Sequence, residues 1–141
     1  MNDLEMARRC AAAMMANDRA SKALGISIEI DTPGQARAHM HVRDDMVNGF
    51  DVCHGGLLFA LADSAFAFAC NAHNRVAVAA AASIEFLRPV RSGDELTATA
   101  VEDHRGRRAG FYTVRVVNQD DALVALFRGR SASRDEAILE N

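Results

Sequence analysis

The chain has 141 residues and a mass of 15.2 kDa, 50% hydrophobic by count and 25% charged, and at about 150 residues per domain this length predicts one domain. A chain of this size buries roughly two thirds of its unfolded surface, enough for a single core. Its 16 basic and 19 acidic residues leave a net charge of -3, without the basic excess that marks nucleic-acid binders. Its charge-free stretches are too short for the roughly 20 apolar residues of a membrane-spanning helix.

The chain opens on MNDLEMARRCAAAMMANDR, where acids precede the basic pair and the apolar stretch is brief and interrupted. That pattern fits an amphipathic helix rather than a secretion signal, so a cytoplasmic location is expected. Residues 1–23 form the predicted N-terminal helix, rich in Ala, Met and Leu and stopped by Gly25. Cys10, Cys53 and Cys70 are odd in number and lack CxxC spacing, so they read as reduced thiols rather than a disulfide framework or zinc ribbon.

From Ile26 to Val42 the period changes to two. Ile26, Ile28 and Ile30 share a face, Pro33 and Gly34 make a turn, and QARAHMHV follows, which predicts a β-hairpin. Residues 43–53 hold Asn48 and Gly49 and show no sustained period; they read as an irregular connection, a kind of segment that often carries function. The segment 54–73, HGGLLFALADSAFAFACNAH, is apolar at nearly every position from Leu57 to Ala69, and a helix hydrophobic all round must be covered all round.

Four β-rich stretches complete the chain, at 76–87, 94–104, 109–118 and 122–131, with breaks at Pro89–Gly93, Arg105–Gly106 and Asn118–Asp121. Within the first, the run VAVAAAAS leaves helix and strand open by composition alone. A flexible tail is expected over 132–141. These elements predict an α+β fold, one domain over residues 1–141, in which an antiparallel sheet of about six strands curls around one long helix. The uncovered side of that helix needs a second subunit, so a two-fold homodimer is expected.

Asp63 is the main anomaly, since it sits in the third turn of the apolar helix, where an unpaired charge is costly to bury. It is either a carboxylate facing water or an arginine, or a catalytic acid. His54, Gly55 and Gly56 open the same helix, where free N–H groups and the positive dipole end suit a polarised carbonyl oxygen; the bland alternative is that the glycines permit close packing. Gly55 and Asp63 are eight residues apart, about 12 Å along the axis at 1.5 Å per residue. Reacting atoms must approach within about 3.5 Å, so both groups act on one substrate only if they come from different copies of the helix. Antiparallel helices paired across a dimer axis satisfy that condition.

The stretch NGFDVCHGGLLFALADSAF, with Asn48, His54, Gly55 and Asp63 at these spacings, resembles the hotdog-fold acyl-CoA thioesterases. SIEFLRPVRSGDELTATA and VNQDDALVALFRGRS are similar, more narrowly, to the thioesterases of phenylacetate degradation. The resemblance covers about residues 20–132. It implies a hotdog fold, dimers pairing into a homotetramer, and hydrolysis of aromatic acyl-CoA thioesters to free acid and coenzyme A with no metal or other cofactor. Carried over by position, the Gly55 N–H polarises the thioester carbonyl, Asp63 of the partner subunit attacks it or activates water, and Asn48 and His54 orient carbonyl and water. Gly56, Phe59 and Ser83 are candidate substrate-binding positions. Phe59 is expected in the core or against the acyl group; where relatives often carry a hydroxyl this chain has the alanine run 79–82, so either Ser83 or water fills that role, or the role is absent.

Other features have plainer readings. His39 and His41 alternate on a strand, and Cys70 and His73 lie three apart; both spacings allow ligation, but no third and fourth ligand follow. Arginines 88, 91, 105, 107, 108, 128 and 130 cluster at strand ends and turns, as solvated turns or as grips for coenzyme A phosphates. Two rival functions remain. One is an acyl-CoA hydratase or dehydratase using His54 and Asp63 as acid and base. The other is a non-catalytic acyl-CoA sensor, against which stand the acid in the apolar helix and the lack of any basic segment.

Overall fold

The computed structural model describes residues 1–140. Helix α1 (Asp3–Asn17) starts where the Asn2 side chain accepts a bond from the Glu5 N–H, an N-cap that satisfies one of the helix's orphan donors. The predicted helix over 1–23 is in fact two. Asp18 leaves the helical conformation and recaps a short α2 (Arg19–Ala23) by accepting from the Ser21 N–H at 2.9 Å. Gly25 follows with φ of +70°, the left-handed geometry that ends helices and favours glycine.

The remaining elements follow the predicted order. Strands β1 (Ser27–Glu29) and β2 (Gln35–His41) form an antiparallel hairpin across Gly34, whose φ is +79°. One 3₁₀ turn, Asp44–Met46, interrupts the irregular connection before helix α3 (Gly55–Cys70). Strands β3 (Ala77–Phe86), β4 (Glu95–Arg105), β5 (Ala109–Val117) and β6 (Leu123–Ser133) complete one antiparallel six-stranded sheet, ordered β1-β2-β4-β5-β6-β3. Bulges between Ala79 and Ala81 and between Glu102 and His104 break the alternation and sharpen the bend.

Alternation decides what faces the helix. Ala36, Ala38 and Met40 of β2, Leu96, Ala98 and Ala100 of β4, and Val114 and Val116 of β5 are buried. The small residues let α3 lie close to the sheet, while its own Leu58, Leu61, Phe66 and Phe68 fill the space. Phe66 stands edge-on to Tyr112 at 5.4 Å between centroids. It also occupies the hollow left by Gly129, where a Cβ would come within 2.8 Å of its ring.

One face of α3 stays open, a stripe of Gly56, Ala60, Asp63 and Ala67 that is exposed or half-buried. Edge strand β3 is likewise exposed from Val78 to Ser83. Of the tail expected over 132–141, residue 141 lies outside the described residues; the tail's first two residues belong to β6, and the stretch after them is tied down. The Val76 N–H donates to Glu136 O, and the Asn74 Oδ1 accepts from the N–H groups of Ile138 and Leu139. No helix is long and apolar enough to cross a membrane among the described residues.

Candidate active site

Helix α3 begins at Gly55 because His54 is non-helical and folds its ring over the first turn, its Nδ1 accepting from the Gly56 N–H at 2.9 Å. A ring nitrogen that accepts carries no proton, so the imidazole N–H lies on Nε2. The bond also commits the Gly56 donor to capping. The Gly55 N–H, by contrast, has no acceptor among the described residues, as expected of a first-turn donor.

The loop before the helix supplies a second donor. Asn48 accepts through Oδ1 from the N–H of Phe50 at 2.9 Å and of Val52 at 3.4 Å, and Asp51 in that turn has φ of +60°. With its oxygen holding the loop, the Asn48 side chain keeps its Nδ2 amide protons for another partner. The Cys53 N–H donates to Val90 O and the His54 N–H to Met46 O, which fixes this loop against the strand connection at residues 87–90.

Asn48 and Gly55 line one cavity of about 360 Å³, closed by Phe86, Leu87, Arg88 and Val90. Gly55 lacks a Cβ where one would lie 3.2 Å from the Phe86 Cζ. Two residues with uncommitted donors thus line one mainly apolar pocket at a helix N-terminus, a setting suited to charge developing on a carbonyl oxygen.

Asp63 does not line that cavity. It lies half-buried on the open stripe of α3, and burial pushes its carboxyl above the usual aspartate range. No hydrogen bond or ion pair to it occurs among the described residues. Within one chain, then, the acid and the donor pair are separate, in keeping with their spacing along the helix.

The other candidates are scattered. Ser83 is exposed on β3 in a different hollow, beside Arg128, Arg130 and Phe111. Phe59 packs edge-on to buried Phe127 at 5.3 Å, which commits it to the core. His39 turns to Glu29 and Thr97, His41 to Glu95 and His73 to Glu102, so these histidines do not converge. Of the arginines, Arg88 alone borders the cavity with Asn48 and Gly55. Phe86 and Leu87 were not legible as site residues; the only signal was Gly55 itself, a glycine implying a bulky neighbour without naming it.

The chain is similar to known thioesterases in sequence and in fold. Residues 50–125 match the family model described as thioesterase superfamily. The chain is 52% identical over 119 residues to the acyl-coenzyme A thioesterase PaaI of Escherichia coli (strain K12), covering 84% of this chain and 85% of that protein. The structure of the E. coli PaaI protein from the phenylacetic acid degradation operon superposes with a TM-score of 0.94 at 47% identity, over 96% of this chain and 99% of that one. A variant of the phenylacetic acid degradation protein PaaI from Thermus thermophilus gives 0.78 at 40% identity, over 82% and 98%. On the match of its sequence and of its hotdog fold, the chain belongs to the thioesterase superfamily.

Proposed function

We propose that the protein hydrolyses aromatic acyl-CoA thioesters of phenylacetyl type, ring-hydroxylated ones included, to the free acid and coenzyme A. The carrying observation is that Gly55 and Asn48, whose backbone N–H and side-chain amide respectively have no acceptor among the described residues, line one mainly apolar cavity. The thioester carbonyl oxygen binds there. Asp63 of the partner subunit, as nucleophile or as general base for water, delivers the attack on the carbonyl carbon. If water attacks, the C–S bond breaks as the new C–O bond is kept and the free acid forms directly; if the carboxylate attacks, C–S cleavage leaves a mixed anhydride with Asp63 that water then hydrolyses. In either case the thiolate takes up a proton from that water and the acyl group departs as carboxylate. His54 keeps the helix start in place and presents its Nε2 proton toward solvent or substrate.

A shared site requires the homodimer, and two features support it. The stripe Gly56, Ala60, Asp63 and Ala67 offers small side chains over which a second α3 can lie closely. The exposed, alanine-rich edge of β3 is an unpaired strand of the kind proteins rarely leave open. Relatives carrying thioesterase names support the reaction class, and the phenylacetic acid operon named for one of them supports the acyl group and a place among enzymes of the cytoplasm.

The test is thiol release from phenylacetyl-CoA by the purified protein, run beside Asp63→Asn. We expect turnover in the unaltered protein and a loss of about 10²–10⁴-fold in the variant, the range typical of a positioned acid–base group. Unchanged turnover in Asp63→Asn overturns the assignment, as does loss of enoyl absorbance with the thioester intact when a 2-enoyl-CoA is supplied instead.

A further inference from the structure

We propose that Phe86 is a specificity-determining residue, the wall against which the aromatic part of the acyl group lies. This assignment rests on the thioesterase reading above. Phe86 is the last residue of edge strand β3, paired in register with Ala125. The residue is 54% exposed, whereas Phe66, Phe68 and Phe127 are buried in the core.

The ring nevertheless adjoins the candidate site. Its Cζ and Cε1 lie 3.2 and 3.4 Å from the point where a Cβ on Gly55 would stand, so the ring tip rests on the helix N-terminus beside the free N–H. The following backbone is pinned, with the N–H groups of Leu87 and Arg88 both donating to Val124 O. One edge of the ring thus lies beside Gly55 at the helix N-terminus, while the rest borders the cavity or is open.

A substrate carbonyl at Gly55 brings the adjoining acyl carbons within reach of that ring. Aromatic rings associate edge-on or offset at centroid distances of about 4.5–7 Å, with a gain beyond simple burial. Phe59, the aromatic residue that the sequence nominates for this contact, is already engaged with Phe127. Phe50 is also exposed but does not line the cavity. Phe86 is the aromatic side chain that both lines the cavity and adjoins the donor.

The experiment compares kcat/KM for phenylacetyl-CoA and hexanoyl-CoA in the unaltered protein, Phe86→Ala, Phe86→Leu and Phe86→Tyr, with mass by light scattering and melting temperature alongside. We expect Phe86→Ala and Phe86→Leu to lose about 5- to 10-fold on the aryl ester, the scale of one aromatic contact. The same variants should change less than about twofold on hexanoyl-CoA, and Phe86→Tyr should keep the aryl preference. Equal loss on both esters, no loss on either, or a drop in mass to the monomer overturns the proposal, the last outcome making the ring an interface residue. Absence of thiol release by the unaltered protein on every ester would instead overturn the thioesterase reading itself, and this assignment with it.

Discussion

Asp63 shows how one side chain can weaken the fold that holds it. Its carboxyl is half-buried without a hydrogen-bonding or cationic partner among the described residues, and burial raises its pKa in the folded chain. The folded state therefore holds the proton more tightly than the unfolded state does. Between the unfolded and folded pKa values the native protein binds more protons, so stability falls as pH rises through that window and stays lower above it. Asp63→Asn removes the burden of the buried charge. We expect it to melt higher than the unaltered protein, by a margin larger at pH 8 than at pH 4, in thermal unfolding followed by circular dichroism. The same shift places the acid limb of kcat/KM above the usual aspartate range, since the proposed mechanism needs the carboxylate; a limb at or below that range would count against Asp63 as the titrating group.

Elements here are held by the match of large side chains to missing ones. Strand β6 crosses α3 at Gly129, where an added Cβ would stand 2.8 Å from the ring of Phe66, a side chain with 1% exposure and no room to withdraw. Gly129→Ala is expected to cost about 1–3 kcal/mol through overpacking, read from the midpoint of urea unfolding. An unchanged midpoint would mean that the sheet yields here. This contact was not legible in the sequence, because it joins positions 63 residues apart by shape rather than by pattern. What local pattern encodes was legible. Alternation located β2, β4 and β5, and continuous apolarity located α3; of the four residues nominated through the family resemblance, Asn48 and Gly55 line one cavity, and His54 and Asp63 do not. The break at Asp18 was missed, because apolar content continues across it while the Asp18–Ser21 cap reverses the local geometry. Phe86 was missed because its link to Gly55 is tertiary.

At the scale of the whole molecule, the question is whether one chain can hold a complete site. The donors at Asn48 and Gly55 share a cavity that Asp63 does not reach, and the α3 stripe carrying Asp63 is open. Two defects placed in different chains distinguish the arrangements. Asn48→Asp keeps the oxygen that holds the loop through Phe50 and Val52 but replaces the amide donor with a carboxylate; Asp63→Asn removes the acid. Each variant alone should be nearly inactive. In a dimer of one chain of each kind, one shared site collects both defects, while the other takes Asp63 from the first chain and Asn48 from the second and is intact. Co-expression in equal amounts makes half the dimers mixed, with one working site in two, so about a quarter of full activity should return. If each chain holds its own site, mixing restores nothing. The measurement is thiol release by the co-expressed pair against each variant alone, with the chain ratio checked by mass spectrometry, and activity no higher than that of the separate variants would require the acid and the donors to meet within a single chain.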